Sequence, residues 1–268
     1  LISIIVCSIN ENLFNRFSES LAKTIGVDYE VIKIENQIEK LSIAKAYNKG
    51  ASQAIYDLLV FVHEDVVFHT ENWGKNLLEH FKSLENPGVI GIAGNSYHPL
   101  FPSDWWVPSA SFRHFNFISN KKGGKPEEGI LMSSQDRLPQ KVFCTDGVFM
   151  AVYSNVFSTF LFDESLMGFH GYDTSISLRV SKDYVNYFVP DILIEHFSSG
   201  NYTNEFWKNT VIANLVFFEF YRRISVAELC FKIEFYSLKK NIVNLFRYKL
   251  RLKLFYKIVK LVFKQLFS

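Results

Sequence analysis

Within its first 65 residues the chain reads strand, helix, strand, helix, strand, and that order constrains its fold more than any other feature. Residues 2–9 are a β-branched, apolar run that breaks at Asn10-Glu11-Asn12, the pattern of a strand buried on both faces and leading into a loop. Residues 15–25 then read as a helix stopped by Gly26, and residues 29–34 as a second strand closed by the polar Glu35-Asn36-Gln37. A second helix is expected over 42–56, where Ile43, Ala44, Ala46, Tyr47, Ala51, Ala54 and Ile55 supply the apolar or small positions. A third strand over 58–62 ends at His63-Glu64-Asp65. This alternation predicts an α/β fold, a mostly parallel central sheet flanked by helices and joined by right-handed crossovers. Ligands of such sheets bind beyond the carboxyl ends of the strands. The polar clusters at 8–12, 35–37 and 63–65 are therefore expected on one edge.

Further along, helices are expected over 73–81, 173–182 and 204–222, and strands over 89–93, 149–153 and 192–194. Residues 94–141, rich in Gly, Pro, Ser and aromatics, are read as irregular strands and loops with an exposed turn at 121–125. With 268 residues, 48% of them apolar, the chain can bury a sizeable core. Cys7, Cys144 and Cys230 are far apart and odd in number, which points away from a zinc cluster or a disulfide framework and toward a reducing, cytosolic setting. The apolar residues 1–9 lack the basic flank and cleavage site of a signal peptide, and no window holds 18 consecutive apolar residues.

Charge is distributed unevenly. Residues 235–268 hold nine Lys/Arg and no Asp/Glu, whereas residues 1–234 hold 20 basic and 27 acidic side chains, a balance of −7. Lys253, Lys257, Lys260 and Lys264 share one face of a helix, with Leu254, Phe255, Ile258, Leu261, Val262 and Leu266 opposite. The pattern predicts a basic amphipathic tail, residues 223–268, following a domain of residues 1–222. The tail is expected on an anionic membrane surface; the alternative is a helix packed on the domain with solvated lysines. No nucleic-acid module is present, so nucleic acid is not an expected partner.

Two consecutive acids, Glu64 and Asp65, at the carboxyl end of a buried strand bring negative charge to the ligand edge. A divalent cation, Mg²⁺ or Mn²⁺ bridging a diphosphate, would offset it; the alternative is that both acids cap the next segment and are solvated. A dinucleotide-dependent oxidoreductase fits poorly, because Ser8-Ile9-Asn10-Glu11-Asn12 has none of the glycines of a Gly-x-Gly-x-x-Gly turn.

Four segments then occur in a telling order: 42–50 (Ser-Ile-Ala-Lys-Ala-Tyr-Asn-Lys-Gly), His63-Glu64-Asp65, Cys144-Thr145-Asp146-Gly147, and Phe162-Asp163-Glu164 followed by residues 171–179 (Gly-Tyr-Asp-Thr-Ser-Ile-Ser-Leu-Arg). Together they resemble the family 2 glycosyltransferases over roughly residues 1–200. That resemblance implies a GT-A-like nucleotide-binding fold with a C-terminal helical extension. It also implies an inverting transfer of sugar from a nucleoside diphosphate sugar, UDP- or similar, to a glycan or glycolipid acceptor. Asp65 then holds the metal with His196 as a further ligand, and Asp173 takes the acceptor proton. Ser8, Asn10, Glu35, Asn36, Lys45, Asn48 and Glu64 fall on the donor nucleotide side, although each also reads as a solvated loop residue. Asp146 and Gly147 fall on the acceptor side, where Asp146 alternatively serves only its turn. Trp105 and Trp106 either stack on a sugar or belong to the core. Two positions depart from the family: His63 stands where the first Asp of Asp-x-Asp is usual, and Tyr172 stands in place of the Glu of the Glu-Asp pair. Those departures leave a catalytically silent, membrane-tethered nucleotide-sugar binder as the alternative. For an active enzyme, the expected location is peripheral, on the cytoplasmic face of the cell membrane.

Overall fold

Three parallel strands form where the apolar runs predict them, β1 (Ile2–Ser8), β2 (Tyr29–Glu35) and β3 (Leu58–His63), linked by α1 (Glu11–Thr24), α2 (Asn36–Glu39) and α3 (Ile43–Ala51). The computed structural model describes residues 1–121, 123–125, 128–198, 203–220 and 230–247, together with 256, 259, 260, 262 and 263. After β3 come β4 (Val66–Phe68), α4 (Trp73–Ser83), β5 (Pro87–Gly91), β6 (Ala93–Asn95), β7 (Arg113–Asn120), β8 (Ile130–Ser133) and β9 (Gln140–Val142). They are followed by β10 (Cys144–Thr145), β11 (Phe149–Tyr153), α5 (Ser154–Thr159), α6 (Tyr172–Val180), β12 (Val185–Phe188) and β13 (Ile194–Phe197), and then by α7 (Asn204–Phe220) and α8 (Phe231–Arg247).

The central sheet has the order β2-β1-β3-β11-β5-β12-β9. Its first three strands are parallel, β11 runs antiparallel to both β3 and β5, and β12 is parallel to β5. Every residue of β1 is buried, and alternation sends Ile2, Ile4 and Val6 to one face and Ile5 and Cys7 to the other. On the first face they meet Phe17 and Leu21 of α1 and Trp73 and Leu77 of α4. On the second, Ala44 and Tyr47 of α3 and Tyr172 and Ile176 of α6 cover them. Tyr47, Phe61, Phe162 and Tyr172 pack ring to ring at 4.9–5.8 Å, a floor beneath the end of β3.

A second sheet, ordered β10-β6-β7-β13-β4 with β8 paired to β7, lies beyond that end. Half of its strands, β6, β7 and β8, fall in or begin beside the segment expected to be irregular; β7 alone spans eight residues. Its aromatics do alternate, but both of its faces are only partly covered, so no clean two-residue period marks it. Two other boundaries differ. α3 ends at Ala51 rather than at 56, because Glu30 Oε1 and Ser3 Oγ accept the amides of Ile55 and Tyr56 and draw the backbone out of the helix. The strand expected over 192–194 is β13, Ile194–Phe197, which puts His196 within the strand rather than after it.

Of the expected helix over 204–222, Arg222 lies outside the described residues, as do Lys253, Lys257 and Lys264 of the tail pattern. Val262 is described and is buried among Leu100, Cys144, Leu178 and Val211, so that part of the tail's apolar face packs on the domain. Among the described residues, no helix is long and apolar enough to cross a membrane.

Candidate active site

β3 delivers His63, and the tight link between β3 and β4 holds Asp65. The antiparallel register of β13 on β4 pairs His196 with Val66, and Phe197 N donates to Asp65 O at 2.9 Å. Residues 131 positions apart in the chain are thereby set side by side: His196 Nε2 lies 3.3 Å and His63 Nδ1 3.9 Å from Asp65 Oδ1. One ligand atom from each of His63, Asp65 and His196 falls within 4.8 Å of the others.

The three groups shape one another's charge. Burial alone would raise the Asp65 carboxyl, but the two imidazoles outweigh it and hold Asp65 below its ordinary value. Burial opposes protonation of His196, yet Asp65 wins and raises it, whereas burial prevails at His63 and lowers it. The contact between His196 and Asp65 is electrostatic rather than a formed hydrogen bond, so His196 Nε2 is a buried nitrogen without a hydrogen-bond partner. An orphaned nitrogen beside a carboxylate and a second imidazole fits a divalent cation.

His63 is oriented from behind. Its Nε2 lies 2.8 Å from the Tyr172 hydroxyl, which itself donates to Gly147 O at 3.1 Å. Because that hydroxyl's proton is engaged by the carbonyl, it accepts from Nε2–H, and the tautomer leaves the Nδ1 lone pair facing Asp65. Burial raises the Tyr172 phenol well above its ordinary value, so it stays a donor. A Cβ at residue 147 would run into the Tyr172 ring, which is why glycine occupies that position.

Asp173 sits at the start of α6, after Gly171 in the left-handed region at φ 80°. Its Oδ2 accepts from Gly147 N at 3.2 Å and its Oδ1 from Thr174 N at 2.7 Å. Burial, then the neighbouring charge of Asp146, pushes the Asp173 carboxyl up to about 7, against the partial pull of those two amides. Asp146 closes its own turn by accepting from Val148 N at 2.8 Å.

All of these groups line one cavity of about 660 Å³. Asp65, His196, Asp146, Gly147, Trp105, Trp106 and Asp173, singled out from sequence, are brought together there. Trp105 and Trp106 meet edge to face at 5.2 Å, and Trp106 also carries the Arg113 guanidinium 4.2 Å from its ring centre. The cavity adds residues that sequence reasoning missed: Asp104, whose carboxyl burial raises, Phe169, and Phe206 and Thr210 of α7. Asp104 directly precedes the tryptophan pair, the one signal that pointed to it.

The nucleotide-side residues do not line this cavity. Glu64 Oε2 accepts from Ser8 Oγ at 2.8 Å and from the amides of Ile9 and Asn10 at 3.1 Å, so it pins the end of β1. Asn10 caps α1, Asn36 closes a loop onto Leu41, and Asn48 ties α3 to Phe162. Glu35, the last residue of β2 and paired with Lys33, and Lys45, in the first turn of α3, are exposed.

Comparison with known proteins bears on this geometry. The sequence profile described as "Glycosyltransferase like family" matches residues 3–219. None of the curated proteins matches the sequence. Among solved structures, GalNAc-T7 with UDP, GalNAc and Mn²⁺ is similar at a TM-score of 0.53 and 14% identity. That likeness covers 79% of this chain and 47% of GalNAc-T7, about half its length. S. aureus TarS 1–349 in complex with UDP is similar at a TM-score of 0.52 and 13% identity, over 92% of this chain and 72% of TarS. At such identities the likeness is one of fold.

Proposed function

The chain belongs to the glycosyltransferase-like family, and from that premise we propose that it is an inverting enzyme transferring a sugar from a UDP-sugar to a glycan or lipid-linked acceptor. The observation that carries this reading is the meeting, in one cavity, of the His63–Asp65–His196 cluster with the raised carboxyl of Asp173. UDP is the donor nucleotide we favour because both similar structures hold it.

His63 Nδ1, Asp65 and His196 Nε2 are the atoms that would hold a divalent cation, whose charge offsets that of the departing diphosphate. Two imidazoles beside one carboxylate favour Mn²⁺ over Mg²⁺, which prefers oxygen ligands. Asp173 accepts the proton of the acceptor hydroxyl as that oxygen forms its bond to the anomeric carbon and the bond to the diphosphate oxygen breaks. Asp146 keeps Asp173 basic through its charge, and the Gly147 amide fixes the carboxylate's position. Trp105 and Trp106 offer ring faces to the acceptor sugar. The Mn²⁺-dependent release of UDP from a panel of UDP-sugars is the test. Absence of release with every sugar, with and without acceptor, would refute enzyme activity.

His63 and Tyr172, the two departures from the family motif, work as a pair in this reading. Tyr172→Phe keeps the ring and removes the hydroxyl that fixes the His63 tautomer. Mn²⁺ affinity is expected to fall roughly tenfold or more, measured by titration of the apoprotein. Unchanged affinity would remove His63 from the ligand set.

We place the catalytic domain at residues 1–222 and the basic extension at residues 223–268, with the enzyme peripheral on the inner face of the cell membrane. The nine cations and no acids of residues 235–268 support that location.

A further inference from the structure

Helix α8 turns polar side chains inward and aromatic ones outward. Its buried side carries Glu234, Ser237, Asn241 and Asn244 beside Ile233 and Leu245, while Phe231, Phe235, Tyr236, Ile242, Val243 and Phe246 face outward. Phe235 is 70% and Phe246 75% exposed, against 8% for Glu234 and 6% for Asn241. A helix docked on a domain in water does the reverse. Phe231, Phe235, Ile242 and Phe246 follow one another at helical steps, so they form one apolar stripe, mostly aromatic, rather than scattered exposures.

The inward polar face shows that this orientation is specified. Tyr97 Oη donates to Glu234 Oε1 at 2.6 Å, Leu100 N also donates to Glu234, and Asn241 Nδ2 donates to Pro102 O at 2.9 Å. Lys240 Nζ lies 3.6 Å from Asp104 Oδ2. Turning the helix over would break these bonds and strand a carboxylate, so the aromatic stripe is held outward by hydrogen bonding.

We propose that the outer face of α8 is the surface by which this protein enters the interface of an anionic lipid bilayer. This rests on the membrane location proposed above and names the surface responsible. Charge complementarity selects the occupant: Lys232 and Lys239 are exposed on the same side as the stripe, and from residue 235 onward the sequence has nine cations and no acids. Aromatics that insert, flanked by lysines that stay at the headgroups, are the composition of an interfacial helix. A second copy of the chain fits less well, because a two-fold contact would set these cations against themselves. The bonds from α8 run to residues 97–104, whose end, Asp104, lines the cavity beside Trp105 and Trp106. A bilayer held by α8 therefore lies next to the acceptor wall, where a lipid-linked acceptor would arrive.

The test is cosedimentation of the full chain with vesicles of phosphatidylcholine alone and of equal parts phosphatidylcholine and phosphatidylglycerol. Wild type is expected on the anionic vesicles. Phe235→Ser/Phe246→Ser, which replaces exposed side chains, is expected to lose roughly tenfold or more in partitioning while keeping its melting temperature. Lys257→Gln/Lys260→Gln/Lys264→Gln tests the tail separately. If wild type ignores anionic vesicles, the membrane reading falls and this surface with it. If wild type binds and the phenylalanine variant binds equally well, the surface assignment alone is overturned. Self-association of wild type in sedimentation velocity, abolished by the phenylalanine variant, would also overturn it in favour of a second copy.

Discussion

Replacing Asp173 with Asn is expected to lower sugar transfer by about a thousandfold, the usual order for losing a general base, while UDP affinity changes by less than about twofold. The amide is nearly isosteric and its oxygen can still accept from Thr174 N, although its NH2 group replaces the oxygen that accepts from Gly147 N, so one of the two bonds at the start of α6 is kept and the other lost. What disappears is the ability to take a proton. Single-turnover transfer separates this from binding, and a loss confined to UDP affinity would remove Asp173 from the base role.

The same carboxylate sets a pH dependence. A base must be ionised, and Asp173 is pushed up to about 7 by burial and then by Asp146, so wild-type transfer is expected to rise with pH and level off above about 7. Stability runs the other way. A group raised in the folded state contributes most below its unfolded value, 3.8, and loses that contribution as pH climbs through about 7. Above neutrality the ionised carboxylate therefore weakens the fold, and Asp173→Asn removes that burden. Set against the lost Gly147 bond, the melting temperature of the variant is expected to gain on that of wild type as pH rises through about 7. Loss of activity together with a relative stability that grows with pH is a signature that a solvated N-terminal Asp does not give.

The second large effect is expected at Asp65. Asp65→Asn removes the one carboxylate between two imidazoles and should reduce UDP-sugar turnover by about a thousandfold. Mn²⁺ binding should fall in parallel. Because Asp65 lies in the link between β3 and β4, with its carbonyl still accepting from Phe197 N, the fold should persist, and circular dichroism checks that it does. Turnover that survives this variant would place the leaving group elsewhere.

These effects trace to a fold whose first half is plain in the sequence. β1 and β3 are mostly apolar, as burial on both faces of a parallel sheet demands, and β2, at the sheet edge, is recognisable although it carries Glu30 and Lys33. The position of Asp65 at the ligand edge follows from that topology. The position of His196 does not, because it depends on the β13–β4 register, a pairing between residues remote in the chain. Of the donor-side polar residues, Glu64, Asn36 and Asn48 sit at the edge that topology predicts, where their side chains also hold loops together. Tyr172 reads as a lost carboxylate in sequence. In space its hydroxyl reaches His63, so the two substitutions are intelligible only together. The inverted face of α8 is likewise hidden, because an amphipathic period gives two faces without saying which is buried.

Calorimetric titration of UDP into wild type and Asp65→Asn, each with and without Mn²⁺, tests the central claim most directly. The account predicts that wild type binds UDP, that Mn²⁺ tightens the binding by about tenfold or more, and that Asp65→Asn abolishes this enhancement. UDP binding that is the same in all four titrations, or absent from wild type with Mn²⁺, would contradict it.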